Sequence, residues 1–198
     1  MILLLALVVS LIIALVRGGS LLRLGNISFH YGWLALLAFG AQTLVIYARL
    51  PYAQGILAPR TLLLMASYGL LFVPVIANRH LPGMPLIGLG LLLNLTVMVA
   101  NGGFMPVTPE ALQRAGLSGL ALSEGPGARL YATKDVLLLR EETRLWLLSD
   151  ILVIPPPLGT VFSTGDVLLA GGACWFLQKM MVGSPQKDRA VAVTGPSS

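Results

Sequence analysis

Asp150-Ile-Leu-Val-Ile-Pro-Pro-Pro-Leu-Gly-Thr-Val-Phe-Ser-Thr-Gly-Asp166 is the stretch on which the reading of this chain turns. Two carboxylates bracket three consecutive prolines, and apolar residues fill the gaps. Each proline lacks a backbone donor and its ring clashes with the preceding turn, so the stretch cannot lie inside a helix. It is too short for an ordinary membrane span and carries an acid near its start. It therefore reads as an ordered connector at a membrane surface that delivers the chain into its last helix. Ser163 and Asp166 have the spacing of a capping box, with Ser163 at the N-cap and Asp166 at the third helical position. There the carboxylate also meets the positive end of the helix dipole.

Outward from this stretch the chain is strongly apolar. Its 198 residues are 56% hydrophobic and 11% charged, with a mean hydropathy of +0.85. A soluble domain carries about 25% charged residues. The composition predicts an all-α fold, a polytopic transmembrane helical bundle with about five spanning helices. These fall at about residues 1–16, 29–50, 61–77, 86–100 and 166–182, and Gly88 and Gly90 allow close packing in the fourth. The first apolar run has no basic residue before it and no small-x-small site after it, so it reads as a helix rather than a cleaved signal. Residues 101–165 form one long extracytoplasmic loop, and 184–198, rich in Ser, Pro and Gly, read as a disordered cytoplasmic tail. Among the short loops, Arg17, Arg23, Arg79, Lys179, Lys187 and Arg189 oppose Arg49 and Arg60. That imbalance predicts an outside N-terminus and a cytoplasmic C-terminus in a multi-pass protein of the inner membrane.

Inside the long loop, Thr108-Pro-Glu-Ala-Leu-Gln-Arg-Ala-Gly116 signals a short helix. Thr108 caps it, Pro109 takes the first position and Gly116 ends it. Its small apolar face suggests a place on the membrane surface. Lys134 to Leu139 reads as extended, and Leu145 to Asp150 as a short helix or re-entrant tip with Trp146 at the interface.

Reactive constellations are absent from the sequence. There is no GxSxG, Walker A, HExxH or dinucleotide fingerprint, so no catalytic residue and no cofactor is assigned. His30 and His80 share one end of the expected bundle but lack further ligands at metal-binding spacing, so no metal is assigned. Cys174 is the one cysteine and cannot form an intramolecular disulfide. The formal net charge of +5 lies beside apolar segments, which makes membrane lipids the expected partner. Arg17, Gly18, Gly19 and Arg23 are the candidates for a lipid-headgroup or anion contact. No basic cluster is interleaved with aromatics, so nucleic acid is excluded. Gln42 and Asn94 fall near the middles of apolar helices, where an unpaired amide costs several kcal/mol. With Asn101 and Asp150 they form the candidate polar cavity or interhelical contacts. Asp150 needs a partner in its apolar run, either Arg144 or Arg140, or else it is a functional acid.

Several short motifs, taken in order, carry a resemblance. Arg17-Gly-Gly-Ser20, Asn101-Gly-Gly-Phe-Met-Pro106, Thr143-Arg-Leu145, Ser149-Asp-Ile151 and Phe162-Ser-Thr-Gly-Asp166 resemble the DUF5317 family of small bacterial integral membrane proteins. Where that pattern has a glycine before the first acid, this chain has Ser149. The resemblance implies a bacterial membrane protein and brings no activity with it. The leading functional expectation is a non-enzymatic scaffold, accessory subunit or regulator, acting on another membrane protein or on itself through helix packing. The alternatives are a carrier or small-molecule-binding protein with a polar cavity, and an enzyme using Asp150 and Asp166.

Overall fold

The structure, a computed structural model, describes residues 2–47, 57–120, 127–128, 130 and 135–182. Its helices are α1 (Ile2–Val16), α2 (Leu22–Gly25), α3 (Gly32–Tyr47), α4 (Pro59–Ala77), α5 (Met84–Ala100), α6 (Pro109–Ala115) and α7 (Thr164–Val182). Among the described residues, four short strands lie between α5 and α7: β1 (Met105–Val107), β2 (Asp135–Leu137), β3 (Leu152–Ile154) and β4 (Thr160–Phe162). Local chemistry sets several helix limits. Pro59 and Pro85 occupy first-turn positions of α4 and α5, where a missing N–H costs nothing. Gly83, at φ +83°, makes the left-handed turn into α5.

The long helices pack in the spatial order α1, α7, α5, α4, α3, so the last helix inserts between the first and the fifth. Glycine makes this possible at two levels of the α5–α7 crossing. Gly90 faces Gly165, and Gly83 faces Gly172, about two turns away along each helix. A Cβ on Gly90 would fall 2.6 Å from the Gly165 carbonyl oxygen, and one on Gly172 would fall 2.7 Å from that of Gly83. Both obstacles are backbone and cannot swing away. Gly88 turns instead toward α4, 3.0 Å from Val75 Cγ1 on the same test. The shared core of α3, α4 and α5 is Val45, Leu64, Tyr68, Leu91, Val97 and Met98.

The expectation of a polytopic transmembrane bundle is overturned. No helix among the described residues is long and apolar enough to cross a membrane. Over those residues α1, α3 and α5 run for 15, 16 and 17 residues, and a span needs about 20. Of the two 19-residue helices, α7 carries Asp166, Gln178 and Lys179. The multi-pass inner-membrane location and the N-outside, C-inside topology rested on those spans and fall with them. The all-α expectation is corrected too, because the region expected to be a loop with short helices contains strands, of which β2 falls in the stretch read as extended. The tail at 184–198, and the end of the segment expected to reach residue 50, lie outside the described residues.

Residues between α5 and α7 build a small α/β unit on the end of the bundle. β1 and β2 pair in parallel, with Met105 opposite Asp135. Asp150 bridges Val107, and its N–H donates to the Pro106 carbonyl at 3.1 Å. In α6 the Thr108 hydroxyl accepts from the Ala111 N–H at 3.3 Å, and Gly116 ends the helix at φ +71°. The apolar face of α6 is turned inward: Ala111 and Leu112 are buried with Val107 and Leu130, against Val153 and Val161. The triple-proline stretch is the exposed connection of a β-hairpin. β3 and β4 pair antiparallel, with Val153 opposite Val161 and Ile154 opposite Thr160. The prolines occupy the connection, where a missing N–H breaks no ladder. The hairpin leads directly into α7.

Candidate functional site

Where β4 runs into α7, Ser163 and Asp166 hold each other by two bonds. The Asp166 N–H donates to Ser163 Oγ at 3.0 Å, and the Ser163 N–H donates to Asp166 Oδ2 at 3.2 Å. Asn94 of α5 joins this pair across the Gly90–Gly165 contact. Its Nδ2 donates to Asp166 Oδ1 at 2.8 Å, and its Oδ1 accepts from the Ser163 hydroxyl at 2.8 Å. Asn94 and Ser163 are fully buried, whereas Asp166 is only half-buried. The result is a closed hydrogen-bonded ring with one open side. An ionised carboxylate offers about four acceptor sites. Asn94 and Ser163 occupy two of those of Asp166.

The open side faces a cleft of about 420 Å³ walled by α3, α4, α5 and α7, with Leu3 of α1 at its edge. That volume suits a small organic molecule. Most of the wall is apolar: Phe29, Phe39, Leu71, Met84, Leu91 and Leu169 contribute, together with the ring of Tyr68. The polar groups are Gln42, Asn94 and Asp166. The Gln42 amide takes no hydrogen bond from the described residues, and Tyr68 is buried. No Lys or Arg lines the cleft among the described residues. No group of three or more His, Cys, Asp or Glu among them could hold a metal ion.

The structure thus brings Gln42 and Asn94 into one cleft and adds Asp166, read from the sequence as a helix cap or, with Asp150, as an enzyme acid. It leaves Asn101 and Asp150 elsewhere. Asn101 ends α5, donating from Nδ2 to the Arg144 carbonyl at 2.9 Å and accepting from the Arg144 N–H at 2.9 Å. Asp150 is buried in the α/β unit beside Val107. The Arg140 guanidinium lies 3.8 Å over the Trp146 ring. Residues assigned to lipid headgroups are engaged within the chain. Arg17 Nη1 donates to Gln178 Oε1 at 2.8 Å, and Arg23 Nη1 donates to the Val182 carbonyl at 2.8 Å. Gly18 takes φ +77° in the turn after α1, and the Gly19 N–H donates to the Ala14 carbonyl at 2.8 Å. His30 is tied through its backbone to Asn78, whose Oδ1 accepts from the His30 N–H at 3.0 Å.

Sequence reasoning missed two contributors to the cleft. Tyr68 and Phe39 read as ordinary apolar helix residues, and nothing local marks them as facing a cleft. Asn78, outside the cleft, is fully buried, and its Nδ2 donates to the Pro74 and His30 carbonyls at 2.7 and 2.8 Å. A usable signal existed for the polar ring. Gly90 and Asn94 lie one turn apart on a single face of α5, and Gly165 precedes Asp166, so both helices pair a bare glycine with a polar group.

Comparison with known proteins adds a family and no activity. An uncharacterized protein of Thermotoga maritima is 33% identical over 78 residues, which cover 39% of this chain and 46% of the relative. The match thus spans less than half the length of that relative. No solved structure matches the chain. The family model for DUF5317, described as a family of unknown function, matches residues 26–178. The chain belongs to the DUF5317 family.

Proposed function

We propose that the chain is a non-enzymatic binding protein for a small amphipathic molecule. The apolar body of the ligand lies against Phe39, Tyr68 and Leu91, and its polar end meets Gln42, Asn94 and Asp166. The observation that carries this reading is the cleft itself: a largely apolar space lined by a few polar groups. The ring of Asn94, Ser163 and Asp166 supports it, because a side chain held by several bonds meets a ligand without first having to be ordered.

Ala35 lines the cleft from α3, only partly buried, so Ala35→Trp fills the space without entering the packed core. With Nile red, a neutral apolar fluorophore, the full-length chain should show saturable binding and Ala35→Trp should lose it while its melting temperature holds. Unchanged binding in that variant removes the cleft from consideration.

A second reading, an accessory subunit that acts through helix packing, has its own support. Leu4, Ile12 and Val16 of α1, and Trp33 and Leu36 of α3, are each more than half exposed. Sedimentation of the purified chain as a monomer at every concentration tested argues against self-association through these faces.

A further inference from the structure

The cleft has a sign as well as a shape, and both bear on its ligand. We infer that the molecule it takes is a lipophilic amine, bound with its ammonium group at Asp166. This rests on the binding role proposed above and names the class of ligand.

Asp166 is the one carboxylate on the wall, and no Lys or Arg faces it across the cleft among the described residues. Its charge is met on the protein side by the Asn94 amide and the Ser163 N–H. The N-terminal dipole of α7 also favours an anion at this place, and Asp166 is that anion. An anionic ligand would therefore meet a carboxylate where a bare helix end would have offered N–H groups. Hydrogen-bond capacity points the same way. The carboxylate keeps acceptor sites beyond the two already used, and the Gln42 carbonyl can supply another. An ammonium carries three donors and no acceptor, which complements an acceptor-rich end. The walls add the remaining element. Phe29, Phe39 and Tyr68 present aromatic rings to the same space, and aromatic faces attract cations as well as apolar chains. An alkyl or aryl body ending in an ammonium satisfies all three features, whereas a fatty acid satisfies only the apolar one.

The test compares three probes of equal length on the full-length chain, each displacing Nile red: n-octylammonium, n-octanol and n-octanoate. Octylammonium should bind about tenfold or more tightly than octanol, with octanoate weakest. Asp166→Asn should bring octylammonium to the level of octanol, erasing the preference for the amine. Wild-type protein carries the comparison alone, so a variant that folds poorly does not decide it. Equal affinity for amine and alcohol, or a preference for octanoate, overturns the amine while the cleft stands. Failure of all three probes, together with Nile red that binds without saturation, overturns the amine and the binding role together.

Discussion

The two ends of α7 solve the same problem with different materials. Any helix leaves four N–H groups at its start and four carbonyls at its end without partners. At the start, Ser163 and Asp166 satisfy the backbone from within the next turn, three residues apart in sequence. At the end, Arg23 reaches in from the short helix α2, 159 residues away, and donates to the Val182 carbonyl at 2.8 Å. A second bond from the same guanidinium nitrogen reaches the Met181 carbonyl at 3.3 Å, and the Ser20 N–H donates there at 3.1 Å. The first end is closed by neighbours and opens toward a cleft. The second is closed only because α1 and the turn after it pack alongside α7. A local device thus remains available for function, whereas a long-range one is a consequence of the fold.

Substitutions can break or sharpen that contrast. The largest effect is expected where backbones touch beside the N-terminal end. Gly165→Val places a side chain against Asn94 and the Gly90 carbonyl, and should cost about 3 kcal/mol, read as a fall in the thermal unfolding midpoint. A near-silent Gly165→Val would mean that α5 and α7 can separate, and that the ring across them is not held by close packing. Next comes Asn94→Ala, which strips a partner from both Ser163 and Asp166 at a buried site. A loss of about 2 kcal/mol is expected in chemical denaturation. In the double variant with Asp166→Asn the losses should be less than additive, because the two side chains share one network. Additive losses would show that the ring is two independent contacts.

Smaller effects follow at the cap itself and at the opposite end. Asp166→Asn keeps an oxygen able to accept from the Ser163 N–H, so about 1 kcal/mol is expected. Arg23→Ala removes a cation from the negative end of the dipole and should cost roughly 0.5 kcal/mol, shrinking further in high salt. Should Arg23→Ala prove costlier than Asn94→Ala, the order of the two ends is reversed, and the C-terminal clasp holds the bundle together.

Some of this structure is written in short stretches of sequence and some is not. Thr108-Pro109 and Gly116 carry the start and stop of α6, because a hydroxyl cap, a fixed φ and a left-handed turn are properties of single residues. The Ser163–Asp166 spacing carries the start of α7 for the same reason. Apolar composition gave a misleading answer when read as membrane span, because hydropathy counts how many apolar residues a window holds and not what they face. Leu91, Val97 and Met98 of α5 are buried in the core it shares with α3 and α4, while Gly90 and Asn94 face α7. On α6 the same blindness turned a packed face into an expected surface one.

From the sequence alone came the positions of the apolar helices, the capping chemistry at Thr108 and Ser163, the family pattern, and the candidacy of Gln42 and Asn94 as polar groups in apolar surroundings. Tertiary structure alone decided that α7 inserts between α1 and α5, that the proline stretch folds as a hairpin, and that Asp166 shares a cleft with Gln42. The physical reason is range. Propensities, caps and turns act over a few residues and are present in the chain before it folds. The cleft exists only once helices distant in sequence have been packed side by side, with glycines setting how closely two of them approach.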